Sequence, residues 1–173
     1  MKGDWANRLL ELDASWSRRL QITSQPGFLH GLEAFLSHSG DSWFVLLAIA
    51  LGWWLGNSYW KSLAITLAIG VGVTALVVFL VKLVVRRPRP AGEWGQLYRK
   101  TDPHSFPSGH AARAFMLAVV ALGLGPTWLG IGLAIWALLV GLSRVIMGVH
   151  YLSDVLVGAL LGIVIGLGIF WLA

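Results

Sequence analysis

Five separate stretches of this chain, near residues 42–60, 62–85, 108–125, 127–147 and 151–172, are apolar and long enough to cross a bilayer. A helical crossing takes about 20 residues, with roughly 17 as a lower limit. Lipid offers no water to backbone groups, so separated apolar spans must satisfy their own N–H and C=O groups as helices. The pattern therefore predicts an all-α fold, a polytopic membrane helix bundle of five transmembrane helices. Composition agrees, because 57% hydrophobic against 12% charged residues is far from the balance of a soluble domain. Trp43, Trp53, Trp54, Tyr59, Trp60, Trp128 and Trp171 gather toward the run ends, where amphipathic rings favour the interface.

The N-terminal part reads differently. In residues 1–23, Trp5, Leu9, Leu12, Trp16 and Leu20 recur at three- and four-residue steps, the period of one face of an amphipathic interfacial helix. Asp4, Glu11 and Asp13 interrupt any apolar signal-peptide core, so no cleavable signal is expected. After a break at Pro26-Gly27, Phe28, Leu29, Leu32, Phe35 and Leu36 form a second stripe that ends near Gly40. With His30, Glu33 and His38 inside it, that stripe is too short and polar to span. Residues 1–40 are thus expected to lie on the membrane and residues 41–173 to form the transmembrane domain. Gly158, Gly162 and Gly166 set small residues four apart, which suits either internal helix packing or the seam of a homodimer. The chain has no cysteine, which excludes disulfides, thiol nucleophiles and zinc–thiolate sites.

The formal net charge of +5 is not spread as a nucleic-acid footprint. Its cations cluster in the N-terminal segment and between two apolar runs, which suits membrane lipids or a phosphate substrate and no nucleic acid. Charge within a span is costly and marks function. Lys82, Arg113, Arg144 and Asp154, with His110 and His150, all fall at the end of span two, the start of three, the end of four or the start of five. Those four ends share one membrane face. Together with Arg89 from the 86–107 connection they make a pocket rich in cations, suited to an anion. Ser108 can cap the third span while the N–H groups of Ser108, Gly109 and His110 point outward, and Gly109 permits close approach of phosphate oxygens. His150 and Asp154, four apart, share a helix face, so the carboxylate can orient the imidazole and leave its other nitrogen free to attack.

Lys82-x6-Arg89-Pro90, Pro107-Ser108-Gly109-His110 and Ser143-Arg144-x5-His150-x3-Asp154 together resemble the three-part signature of the type 2 phosphatidic acid phosphatase (PAP2) superfamily. No signature position departs from it. The resemblance implies an integral membrane lipid phosphatase in which His150 is the nucleophile, Asp154 its partner and His110 the general acid. Lys82, Arg89, Ser108, Gly109 and Arg144 would hold the phosphate. It implies no metal and no cofactor, and Glu93 and Asp102 stand alone in the loop, short of a magnesium cluster. Arg113 either touches the second phosphate of a diphosphate or snorkels to headgroups. Arg86 and Arg87 read as interfacial anchors. His30, His38 and His104 stay outside the site.

The stretch Ser105–Ala114 is most similar to members acting on polyisoprenoid phosphates, which favours a prenyl diphosphate substrate over phosphatidic acid or phosphatidylglycerol phosphate. Vanadate-dependent haloperoxidases share the pocket chemistry but are soluble. A non-enzymatic lipid-binding or transport protein is the alternative of another class, and the intact signature weighs against it. If the N-terminal segment lies on the pocket's face, that face carries twelve of the thirteen Lys and Arg and the other only Lys61. The positive-inside rule then places the site on the cytoplasmic side of the cell membrane.

Overall fold

A computed structural model describes residues 4–21, 28–91 and 102–173. The Pro26-Gly27 break and most of the long loop, Glu93 included, lie outside the described residues. The helices are α1 (Asp4–Leu20), α2 (Phe28–Ser39), α3 (Ser42–Leu55), α4 (Ser58–Val85), α5 (Gly109–Leu124), α6 (Thr127–Ile146) and α7 (Leu152–Leu172). Among the described residues there is no strand, only an isolated bridge between Pro88 and His104.

The all-helical bundle is as expected, but the spans differ. The run at 42–60 is not one helix: α3 stops at Leu55, and Asn57 starts α4 by accepting from the N–H groups of Tyr59 and Trp60. An Asx residue that caps forward ends whatever precedes it. Among the described residues three helices, α4, α6 and α7, are each long and apolar enough to cross a membrane. A fourth crossing is available if Gly31–Ser39 and Ser42–Leu55, bent by 61°, count as one broken span. Thus α2, expected to lie on the surface, joins α3 as a candidate half-span.

The 16 residues of α5 reach only about 24 Å. It can be short because it is the axis of the bundle, packed mainly against α7 and α6, with Ala111, Ala112, Ala114, Met116, Val120 and Ala121 fully buried. The glycine stripe explains how α7 comes so close. A Cβ at Gly158 would stand 2.5 Å from the Ser108 carbonyl oxygen, one at Gly162 would strike the Ala112 carbonyl, and one at Gly166 would stand 2.8 Å from Val119 Cβ. The stripe is therefore spent on packing inside the chain. The outward faces carry Ile65, Ile69, Leu76, Leu138 and Leu160, an apolar surface of the kind lipid solvates.

The N-terminal helix turns its apolar face, Trp5, Leu9, Leu12 and Trp16, away from the bundle and its polar face toward it. Ser17 is fully buried and accepts from the Leu152 N–H at 2.9 Å, while Asp13 accepts from the Ser153 N–H at 3.0 Å. Both bonds satisfy free donors in the first turn of α7. They also fix α1 to the end of the bundle that carries the site.

Candidate active site

His150 sits on a turn that its neighbours determine. After α6, Gly148 takes a left-handed backbone (φ 64°), and the N–H groups of Val149 and His150 both donate to the Arg144 carbonyl at 3.1 Å. This is how a helix C-terminus satisfies its last carbonyls. The five intervening residues between Arg144 and His150 are the length of that closure. Two residues on, α7 begins, and Asp154 Oδ2 accepts from the Tyr151 N–H at 2.9 Å while lying 3.6 Å from His150 Nδ1.

On the other side of the ring, Arg89 Nη1 stands 3.2 Å from His150 Nε2. A guanidinium only donates, so Nε2 holds a lone pair and the ring proton is on Nδ1, toward Asp154. Burial, then the charges of Arg144, Arg89 and Lys82, push the imidazole well below its ordinary value. That shift favours the neutral ring, whose Nε2 faces Arg89.

Those cations line a cavity of about 550 Å³. Lys82, in the last turn of α4, donates to the Asp102 carboxylate and to the His104 carbonyl. Arg89 donates through Nη2 to Asp102 Oδ2 at 2.8 Å and through Nη1 to the Val149 carbonyl at 3.0 Å. Arg144, fully buried, donates to Ser37 Oγ at 2.5 Å. Asp102 is not alone in its loop, as the sequence suggested: burial pushes its carboxyl up, but Lys82 and Arg89 together hold it below its ordinary value. The lining includes four fixed cations, Lys82, Arg89, Arg113 and Arg144, against two carboxylates, Asp41 and Asp102. Two positive charges remain in excess.

His110, at the start of α5, faces the same cavity, and its Nε2 lies 2.6 Å from Asp41 Oδ1. Arg113, one turn on, is buried and does not snorkel: it donates to Ser42 Oγ at 2.9 Å and to the Gly40 carbonyl. It lines the cavity while anchoring the α2–α3 junction. Gly109 lines the cavity too. Ser108 caps α5 by accepting from the Ala111 N–H at 3.4 Å, but its own N–H donates to the Asp154 carbonyl at 2.9 Å and is not open to an anion. His38, left outside by sequence, reaches Asp41 Oδ2 at 3.0 Å.

Arg87 is the clearest departure. It is no interfacial anchor: Nη1 donates to Asp154 Oδ1 at 2.7 Å and Ser153 Oγ at 2.8 Å, and Nη2 to Asp13 Oδ2 at 2.7 Å. Its guanidinium lies 3.9 Å from the centre of the Tyr151 ring, a cation–π contact. Arg86 stays exposed, closing α4 in a left-handed turn. One signal in sequence points to the missed acids. With only eight Asp and Glu in an apolar chain, each carboxylate near the site end needs a cation. Among the described residues four have one, Asp13 and Asp154 with Arg87, Asp102 with Lys82 and Arg89, and Asp41 with the His110 ring when it is protonated. Among the described residues no group of three or more His, Asp or Glu is arranged to hold a metal ion.

Comparison with known proteins points the same way. The sequence profile of the PAP2 superfamily matches residues 62–173. An undecaprenyl-diphosphatase of Sulfolobus acidocaldarius is 34% identical over 144 residues, covering 80% of this chain and 68% of that protein. A lipid A 4'-phosphatase of Bacteroides thetaiotaomicron is 29% identical over 133 residues, covering 69% of this chain and 59% of that one. Among solved structures, the transmembrane PAP2 type phosphatidylglycerolphosphate phosphatase from Bacillus subtilis matches with a TM-score of 0.79 at 25% identity, over 96% of this chain and 86% of that one.

Proposed function

Because the chain belongs to the PAP2 superfamily of membrane lipid phosphatases, we propose that it removes a terminal phosphate from a lipid phosphate or diphosphate through a phosphohistidine on His150. The observation that carries the reading is His150 Nε2 at 3.2 Å from Arg89 Nη1, beside a cavity with excess positive charge. In the first step the Nε2 lone pair forms a bond to phosphorus as the ester P–O bond breaks, and the departing oxygen takes a proton from His110. Water then attacks phosphorus, gives its proton back to His110, and the P–N bond electrons return to Nε2. Lys82, Arg89 and Arg144 stabilise charge on the equatorial oxygens, which is most of what phosphoryl transfer requires. An entering phosphate exchanges with Asp102 for the Lys82 and Arg89 donors. Asp154 stabilises the positive ring of the intermediate, and Gly109 leaves room at the phosphate.

A prenyl diphosphate is the favoured substrate, supported by the Ser105–Ala114 stretch and by the similarity to an undecaprenyl-diphosphatase. Phosphatidylglycerol phosphate and phosphatidic acid are the alternatives. A panel of lipid monophosphates and diphosphates, assayed for phosphate release in detergent with EDTA, tests the activity and its metal independence together. Release should persist in chelator and be competitively inhibited by orthovanadate. Activity lost in EDTA and restored by magnesium would overturn the cation-only site.

The site is proposed to face the cytoplasm, since α1 with Arg8, Arg18 and Arg19 docks at the site end and Lys61 lies at the other. Single cysteines at Ala91 and Ser58, both exposed, report on the two faces in a chain that has none of its own. In intact cells an impermeant maleimide is expected to label Ser58→Cys and spare Ala91→Cys. The reverse pattern would turn the site outward.

A further inference from the structure

We propose that Asp41, at the α2–α3 junction, is the positioning residue of His110, fixing its ring so that Nδ1 delivers the proton to the departing oxygen. The role rests on the phosphatase reading above. Asp41 occupies the N-cap position of α3, where an Asp ordinarily accepts from the N–H groups of the first turn. Here its side chain makes no cap bond. Both oxygens instead go to imidazoles, Oδ1 to His110 Nε2 at 2.6 Å and Oδ2 to His38 Nδ1 at 3.0 Å.

The junction that carries Asp41 is held from three sides. Arg113 donates to the Gly40 carbonyl and to Ser42 Oγ, and Trp136 Nε1 donates to Ser39 Oγ at 3.0 Å. The third hold is steric: a Cβ at Gly40 would stand 2.9 Å from Val140 Cγ1 and 3.1 Å from His110 Cδ2, so residue 40 packs on the ring itself. The carboxylate thus has a fixed location relative to α5. Its bond to His110 occupies Nε2 and leaves Nδ1 as the other nitrogen of a ring that lines the cavity. Nδ1 gives its proton to the oxygen whose bond to phosphorus breaks and takes one from the water that attacks next, while the Nε2 proton stays with Asp41. A carboxylate at that distance favours the protonated ring before the first of those events and after the second, as the orienting acid of a catalytic triad does.

The test is Asp41→Asn in the full chain, purified in detergent and assayed on two soluble phosphate esters, one aryl and one alkyl. An aryl oxide leaves readily without a proton; an alkoxide does not. On the alkyl ester, kcat is expected to fall about 10- to 100-fold, a part of the roughly 10²- to 10⁴-fold that general acid–base catalysis contributes, since His110 itself remains. On the aryl ester it should fall less than about threefold, with KM little changed for both. An equal loss on both esters, or none on either, overturns the positioning role while leaving the phosphatase reading in place. An inactive wild type overturns that reading instead. A measurement on the wild type stands apart from turnover and from the folding of the variant. Nitrogen-15 spectra of histidine-labelled protein, with His110 assigned by His110→Gln, should show neutral His110 carrying its proton on Nε2. A neutral ring protonated on Nδ1 overturns the Asp41 contact.

Discussion

His150→Ala is expected to lower turnover by about 10⁴-fold or more, the scale of loss when a covalent nucleophile is removed. Lys82 and Arg89 are donors only, whereas His150 Nε2 stands 3.2 Å from Arg89 Nη1 with its lone pair toward the cations. Rapid quenching of the wild type with phosphorus-labelled substrate should trap label on the protein, stable in alkali and released by acid. The alanine variant should trap none. Stoichiometric label on another residue would sink the assignment. A pH profile gives a second readout. Burial and three neighbouring cations hold His150 well below its ordinary value of 6.5, so protonation removes the nucleophile only below that pH. The acidic limb of kcat/KM, which reports the free enzyme, is expected below pH 6.5. A limb above it would mean that His150 is cationic at rest.

Arg87→Leu should have the largest effect on stability. The guanidinium is the shared partner of Asp154, which is fully buried, and Asp13, whose side chain is 14% exposed. Removing one partner of a buried pair leaves an uncompensated charge and costs about 3–5 kcal/mol. For a chain of this length that lowers the melting midpoint by roughly 10 °C. Asp13→Asn in the same background should recover part of the loss, since it removes one of the two stranded carboxylates. Turnover should fall through kcat with KM little changed, because Arg87 reaches the reaction only by way of Asp154 and His150. A variant that melts within about 2 °C of wild type would return Arg87 to the membrane surface.

What the sequence determined by itself is local or periodic. Apolar runs dictate helices because lipid leaves the backbone no other partner, and that reasoning placed α4, α6 and α7. The five-residue interval from Arg144 to His150 is a helix closure, and the interval from His150 to Asp154 is one turn, so both contacts follow from chain geometry. The glycine stripe is legible for the same reason, as a period on one helix. Counting crossings was enough to bring Lys82, His110, Arg144 and His150 to one end of the bundle.

Only the tertiary structure decided which carboxylate serves which cation or ring. Asp41 meets His110 across 69 positions, Asp13 meets Arg87 across 74, and Asp102 reaches Lys82 across 20. No period links such pairs, and an Asp at a helix start reads equally well as a cap, which is how Asp41 escaped notice. The docking of α1 and of the α2–α3 junction onto the site end turns segments that look interfacial into its walls. Apolar burial drives that docking without direction. The direction comes from buried polar groups, Ser17, Ser37, Asp13 and Asp41, each of which would be stranded in any other register.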